Sequence, residues 1–291
     1  MKKYVLLLFL FLEFYLIFNS NIVITEFKKT LNIIMYNLMP TMFFSIFLTN
    51  VLIKLNIDKY FPNFLSNILK LSKKDTSIFI FSLISGYPNN SKMLINSNNL
   101  NNLINYTNFV SPFFMFSTIN NIYIKNIKIS LLIYFSHVIS NILILFILKK
   151  EYKYNNNLIK KNEESILNTY YTSLKDTTIS LSLIFSNILF FSIIISFIKD
   201  ILPFNNLINS IIIGLFEFSS GVYEISLLPI TIFLKGLLIT IIITFSSISM
   251  HMQIINFNRK IKYIKYLIFR IFNVLLAIII YLILYFLTYK I

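Results

Sequence analysis

The sequence contains no cysteine and no tryptophan, only four glycines in 291 residues, and charged side chains at just 13% of positions. The lack of cysteine excludes disulfides, thiolate nucleophiles and cysteine-based metal sites. The scarcity of charge excludes a water-soluble globular fold, since soluble domains carry about 25% charged residues. With 57% hydrophobic residues and a mean hydropathy of +0.75, the chain cannot cover a water-facing surface. A bilayer removes that demand, because lipid solvates an apolar exterior. Catalytic signatures are missing too: there is no HExxH, no GxGxxG, no Walker loop and no Ser/His/Asp arrangement. The two histidines, His137 and His251, are not at metal-ligand spacing. An enzyme, a metal site and a cofactor are therefore not expected.

What is present is apolar sequence in long runs. A helix needs roughly 20 mostly apolar residues to span the hydrocarbon. Residues 4–24, 31–53, 127–148, 177–198, 234–255 and 263–288 meet that length. They are too long for strands and show no alternation of period two, so they predict helices. The net charge of +15 lies largely in short segments between runs, as at Lys73-Lys74, Lys149-Lys150, Lys160-Lys161 and Arg259-Lys260. That distribution is a topology signal and an anionic-lipid contact rather than a nucleic-acid surface. The heavy use of Ile, Asn, Lys, Phe and Tyr reads as AT-rich codon usage, so many Asn and Lys residues carry no chemistry.

The expected fold is an all-α integral membrane protein with about eight transmembrane helices, counting broken or re-entrant segments. Lys2-Lys3 and the run after it are similar to a signal peptide. The run exceeds the usual apolar core and lacks a small-residue cleavage site, so an uncleaved span over 1–30 is expected. Glu13 within it is expected to face other helices or to lie near an interface. A polar, Lys-rich segment at 149–172 reads as a cytoplasmic linker. It separates a first half, 31–148, from a second, 173–291. Putting the basic segments inside gives both halves one layout in opposite orientation: span, interrupted region, span. Such inverted repeats are a plan of secondary transporters. Lys28, Lys29 and Lys199 fall outside in this scheme and argue against it.

The interruptions hold the polar residues. The first is Ser85-Gly86-Tyr87-Pro88-Asn89-Asn90-Ser91-Lys92, where Gly is permissive and Pro cannot continue a helix unkinked. A second spans 105–112 and includes Asn108 and Ser111. In the other half, Gly214-Leu215-Phe216-Glu217 opens a third, and 246–253 forms a fourth with Ser249, His251 and Gln253. Free backbone groups at membrane depth persist only against protein or a water-filled cavity, and free helix ends there can hold ions or polar groups. Glu217, in an otherwise apolar stretch, could bind a cation, carry a proton or pair with Lys92; the bland reading is a shallow residue reaching headgroups. Glu224 is a weaker candidate. His251 could titrate or bind a ligand, or be a hydrogen-bonded interior histidine. His137, one turn from Asn141, reads as helix–helix hydrogen bonding.

These motifs resemble the YlbJ-type sporulation integral membrane proteins of endospore-forming Firmicutes. That family belongs to the gate, or nucleoside-recognition, domain superfamily, with concentrative nucleoside transporters and the membrane part of the ferrous-iron transporter FeoB. The family element SGYPxGAK is matched by residues 85–92, its Asn-rich turn ending in Pro and aromatics by 108–114, its GLxE by 214–217, and its GGxSVHAQ-like element by 246–253. The likeness covers about 31–256 in the same order. Asn90 and Ser91 stand where the family has Gly and Ala, and Ser246-Ser247 stands where it has a Gly pair. These exchange close backbone approach for side-chain hydrogen bonding. The resemblance implies a role in endospore formation at the cell membrane, of forespore or mother cell, and transport of a small solute. The residues it marks are Ser85, Gly86, Tyr87, Pro88, Lys92, Asn108, Ser111, Glu217, Ser249, His251 and Gln253.

The expected function is thus a transporter or permease of an unidentified small solute or ion, sited between two broken-helix halves. The alternative is a non-transporting membrane scaffold for spore cortex or coat assembly. A membrane enzyme acting on lipid lacks a nucleophile or carboxylate pair. The expected partners are the lipid bilayer and the solute, with no nucleic acid; a homo-oligomer or a membrane-protein partner is left open.

Overall fold

The structure, a computed structural model, describes residues 2–56, 63–94, 97, 99–148, 165–201 and 205–289. The described residues form helices and connecting turns, without a strand. Helix α1 is Lys2–Phe18 and α2 is Ser20–Asn32. A π-helical stretch, Ile33–Leu38, joins α2 to α3, Met39–Lys54. Pro40 lies just beyond the wide turn and has no N–H to donate to it. The interrupted region comprises α4 (Asn63–Leu69), α5 (Lys73–Ser85), α6 (Asn89–Met93), α7 (Leu100–Tyr106) and α8 (Pro112–Phe114), the last running into a π-helix at Met115–Ile124. Then come α9 (Ile127–Leu148), α10 (Ile166–Ile201), α11 (Asn206–Phe216), α12 (Phe218–Leu227), α13 (Ile232–Phe245), α14 (Ile248–Phe257) and α15 (Tyr263–Tyr289).

The chain is an all-α membrane protein. Among the described residues, five helices are long and apolar enough to cross a bilayer: Ser20–Lys54, Ile127–Leu148, Ile166–Asp200, Ile232–Phe257 and Tyr263–Tyr289. Their faces are divided as lipid demands. In α15 the residues Tyr266, Arg270, Asn273, Ala277 and Tyr281 are buried at helical spacing, while Ile264, Ile268, Ile271, Leu275, Ile279 and Ile283 are exposed. Polar groups face protein and apolar groups face outward, the reverse of a soluble helix. Buried hydroxyls are quenched locally: Thr49, Thr177 and Thr240 donate to carbonyls four residues back at 2.7, 2.7 and 2.8 Å.

Two long helices form a spine. Ser20–Lys54 and α10 run antiparallel, joined by Lys199–Glu26 at 2.8 Å near one end, Asn50–Thr177 at 3.0 Å, and Lys54–Asp176 at 2.8 Å near the other. A second unit packs α9, α13 and α15. Tyr281 donates to Phe233 O at 3.1 Å and Arg270 to Thr244 O at 3.4 Å, so α13 and α15 are antiparallel. Helices α11 and α12 fold back on each other where a side chain on Gly221 would overlap the Gly214 backbone. Scarce glycine is spent on such close approach.

Three boundaries differ from the sequence expectation. The break near the N-terminus falls at Asn19, and the helix continues through 25–30, where a loop between spans was expected. Those residues contain no Gly or Pro, and the charges of Glu26 and Lys29 find partners on other helices instead of breaking the helix. Glu13 is exposed on α1, so of its two expected settings the one facing other helices is not adopted. Residues 166–172, expected in the linker, are the first two turns of α10; the rest of that linker, including Lys149-Lys150 and Lys160-Lys161, lies outside the described residues.

Candidate functional site

Each interruption has its own local cause. α5 ends at Gly86, whose φ of 72° suits glycine, and an added Cβ would sit 2.5 Å from Ser111 N. The Tyr87–Pro88 peptide is cis. Between α7 and α8 the chain is non-helical from 107 to 111 and turns at Thr107, whose carbonyl accepts from Phe109 N at 3.0 Å, and Ser111 Oγ caps α8 by accepting from Phe114 N at 3.1 Å. Glu217 separates α11 from α12 and caps the latter. Its carboxylate accepts from Ser219 N at 3.0 Å, Ser219 Oγ at 2.6 Å and Ser220 N at 2.7 Å. α13 and α14 are parted by Ser246 and Ser247, both left-handed at φ 72° and 44°. Glycine is favoured at such angles, and the resembling motif has glycines here.

The interruptions meet. Tyr87 N donates to Phe109 O at 2.7 Å, and its hydroxyl reaches Ile243 O at 3.4 Å. Its ring sits edge-on to Phe218, centroids 5.3 Å apart, and Phe114 packs on the same ring at 5.5 Å. Asn108 Nδ2 donates to Ser246 Oγ at 2.7 Å and lies 3.0 Å from the Tyr266 hydroxyl. His137 bridges the same two breaks. Its Nε2 accepts from Val110 N at 3.0 Å, which leaves Nδ1 to donate to Thr244 Oγ1 at 3.1 Å. Asn89 is buried beside the first break with neither amide atom hydrogen-bonded to a described residue, and Asn90 Oδ1 and Gln253 Oε1 are likewise unpaired. Buried amides without partners are costly and mark groups that a polar ligand would satisfy.

Of the residues singled out by sequence, Gly86, Tyr87, Pro88, Asn108 and Ser111 gather here, with Ser85 beside them donating to Phe81 O at 2.9 Å. Glu217 is fully buried, so it does not reach outward as a headgroup contact would, and its carboxylate caps α12. Lys92 does not pair with it. Lys92 Nζ reaches Asp176 O at 3.4 Å and Ser180 Oγ at 3.2 Å on α10. Burial pushes the Lys92 ammonium below its ordinary range; Asp176 opposes this and Lys54 adds to it. His251 is buried and hydrogen-bonded within the protein: Nε2 donates to Phe245 O at 2.8 Å, and Nδ1 lies 3.3 Å from the Tyr263 hydroxyl. Gln253 donates to Ser249 at 3.3 Å on the same helix. Among the described residues no group of acidic, His or Cys side chains could hold a metal ion.

Two features were missed. Arg270 lies fully buried in the apolar run 263–288. An ionisable residue in a span is the same signal that marked Glu217, and it applied to Arg270 equally. The second is the set of ionic partners of Glu224 on α12, which the sequence marked only as a weaker candidate. Glu224 binds Lys29 at 2.6 Å and Lys199 at 3.1 Å, beside a cavity of about 10 Å³ lined also by Glu26, Ser192 and Ser220. Burial pushes the Glu224 carboxyl up, but the two ammonium groups outweigh this and hold it below its ordinary range.

No protein-family model matches the chain, and no curated protein and no solved structure matches it.

Proposed function

We propose that this chain is a multi-pass carrier of a small polar solute, of the YlbJ type in the gate superfamily. We place its action in endospore formation, at the forespore or mother-cell membrane. The observation that carries the reading is the contact between two interrupted helices at their interruptions, Asn108 with Ser246, flanked by Tyr87 and Phe218 from the other two breaks. Interrupted helices that cross at membrane depth juxtapose free helix ends, which is how carriers of this architecture hold solute.

The order and direction of elements support an inverted repeat. The basic segment 259–262 reads as cytoplasmic. α7 begins beside it, with Asn101 accepting from Lys262 N at 2.7 Å. Lys92, at the far end of the α5–α6 turn, lies with Lys54 and Asp176 at one end of the spine. Glu224, on the returning arm of α11–α12, lies with Lys29 and Lys199 at the other. The two hairpins therefore enter from opposite ends. Each is followed by a broken span and then an unbroken one, α9 or α15. Each is preceded by one helix of the antiparallel spine. Lys29 and Lys199, which argued against the scheme, are neutralised by Glu224 and Glu26.

The test is uptake by purified protein in proteoliposomes, screened with nucleosides, divalent metal ions and dipicolinate-like dicarboxylates. Uptake of one class, abolished in Asn108→Ala and Glu217→Gln while both variants stay inserted and abundant, is expected. Well-folded protein inert to every class would shift the function to a scaffold. Normal sporulation with both variants would overturn the site.

A further inference from the structure

Arg270 is a full positive charge, 0% exposed, in the middle of a membrane protein. Among the described residues no carboxylate lies within ion-pair distance of it. A buried ion left without compensation is strongly unfavourable. Its two terminal nitrogens are met instead by backbone and amide oxygens, and its Nε has no hydrogen-bond partner among the described residues. Nη1 donates to Thr244 O at 3.4 Å, and Nη2 donates to Asn105 O and, at 3.0 Å, to Asn141 Oδ1. The Tyr266 ring faces the guanidinium, 5.7 Å from its carbon. Thr244 is in the last turn of α13 and Asn105 in the last turn of α7. Carbonyls in the last turn have no partner within their own helix. A helix C-terminus carries roughly half a negative charge, less for a short helix such as α7. Two converging ends therefore approach the charge needed to balance one cation.

Oxygen ligands from two helix ends, with no carboxylate, are what broken-helix carriers offer to a free monovalent cation. We propose that Arg270 is a tethered cation occupying such a place, so that the two interrupted spans are held together without a bound alkali ion. The consequence for transport, which rests on the carrier reading above, is that no sodium or potassium ion is coupled at this position.

The assembly claim is tested without transport, by thermal unfolding of the purified full-length protein in detergent. Wild-type Tm should be the same in sodium, potassium and choline chloride. Arg270→Ala should lower it by about 10 °C. Millimolar guanidinium or methylguanidinium, far below denaturing levels, should restore part of that loss where choline does not. A wild-type protein stabilised by sodium or potassium over choline overturns the proposal, as does an alanine variant that guanidinium leaves unchanged. If the alanine variant yields no folded protein, Arg270→Lys and Arg270→Met decide. The lysine variant should be the more stable of the two and indifferent to alkali ions; a methionine variant equal to it overturns the claim. Salt-indifferent wild-type protein that moves no solute would refute the carrier reading and leave the tethered cation standing.

Discussion

Asn108 and Ser246 are 138 residues apart and share a 2.7 Å hydrogen bond between the unwound stretches of two interrupted helices. Neither side chain is exposed, so neither has water as an alternative partner. Asn108 also accepts from Asn90 at 3.4 Å and donates toward Tyr266 at 3.0 Å, which makes it the hub linking the first break, the second and α15. Asn108→Ala should destabilise more than Ser246→Ala, because it strands more partners. A double-mutant cycle read by thermal unfolding should give a coupling of about 1 kcal/mol. Additive effects would mean that the two breaks do not support each other.

Ser246 allows backbone strain to be separated from the hydrogen bond. Its φ of 72° costs an ordinary residue about 1–3 kcal/mol, and glycine much less. Ser246→Ala removes the acceptor for Asn108 and keeps the strain. Ser246→Gly removes the same acceptor and relieves it. The glycine variant should therefore be the more stable of the two by about 1 kcal/mol in urea or thermal unfolding. Equal stability would show that the left-handed geometry is not costly here.

Gly86 faces two penalties at once. Its φ is 72°, and a Cβ would lie 2.5 Å from Ser111 N, a backbone atom that cannot swing aside. Gly86→Ala should push the first hairpin away from the second break. Expected is a loss of about 2–4 kcal/mol, seen as lower membrane abundance and lower Tm. Normal abundance together with an unchanged Tm would contradict the close packing of 86 on 111.

Class and span positions were legible because apolar length is a one-dimensional signal. Tyr263–Tyr289 and Ile127–Leu148 match the runs at 263–288 and 127–148 closely. Charge was a poorer guide to helix ends. Glu26 and Lys29 looked like a loop, yet they sit mid-helix because their partners, Lys199 and Glu224, are remote in sequence. The same remoteness hid the pairing of Lys92 with α10 instead of with Glu217. Interruptions were legible from Gly, Pro and polar clusters, but which of them touch depends on helix crossing, which no local pattern encodes. Arg270 was missed although it obeyed the rule that flagged Glu217.

Orientation gives an independent check on the repeat. Reporter fusions at Asn156, in the Lys-rich segment, and at Asn258, after α14, should both read cytoplasmic. A fusion after Ile201 should read on the far side, because α10 runs antiparallel to Ser20–Lys54 and its end lies by Glu26 and Lys29. Opposite signals at 156 and 258 would end the inverted arrangement, since the two halves could not then be related by it.

The cluster at Glu224 should give an acid-sensitive stability with a predictable sign. Lys29 and Lys199 hold the folded-state pKa of Glu224 below its ordinary value. An unfolded glutamate titrates at about 4.3. A folded pKa below the unfolded one adds stability that is complete above the unfolded value and is lost as pH falls through the folded value. The side chains are partly exposed, 35% for Lys29 and 21% for Glu224, so the gain is about 1 kcal/mol. Glu224→Gln should thus be less stable than wild type at neutral pH by about that amount, with the difference shrinking below about pH 4. Unfolding curves collected from neutral to acidic pH test this directly. Curves that stay parallel throughout would show that the Glu224 charge contributes nothing to holding α12 against α2 and α10.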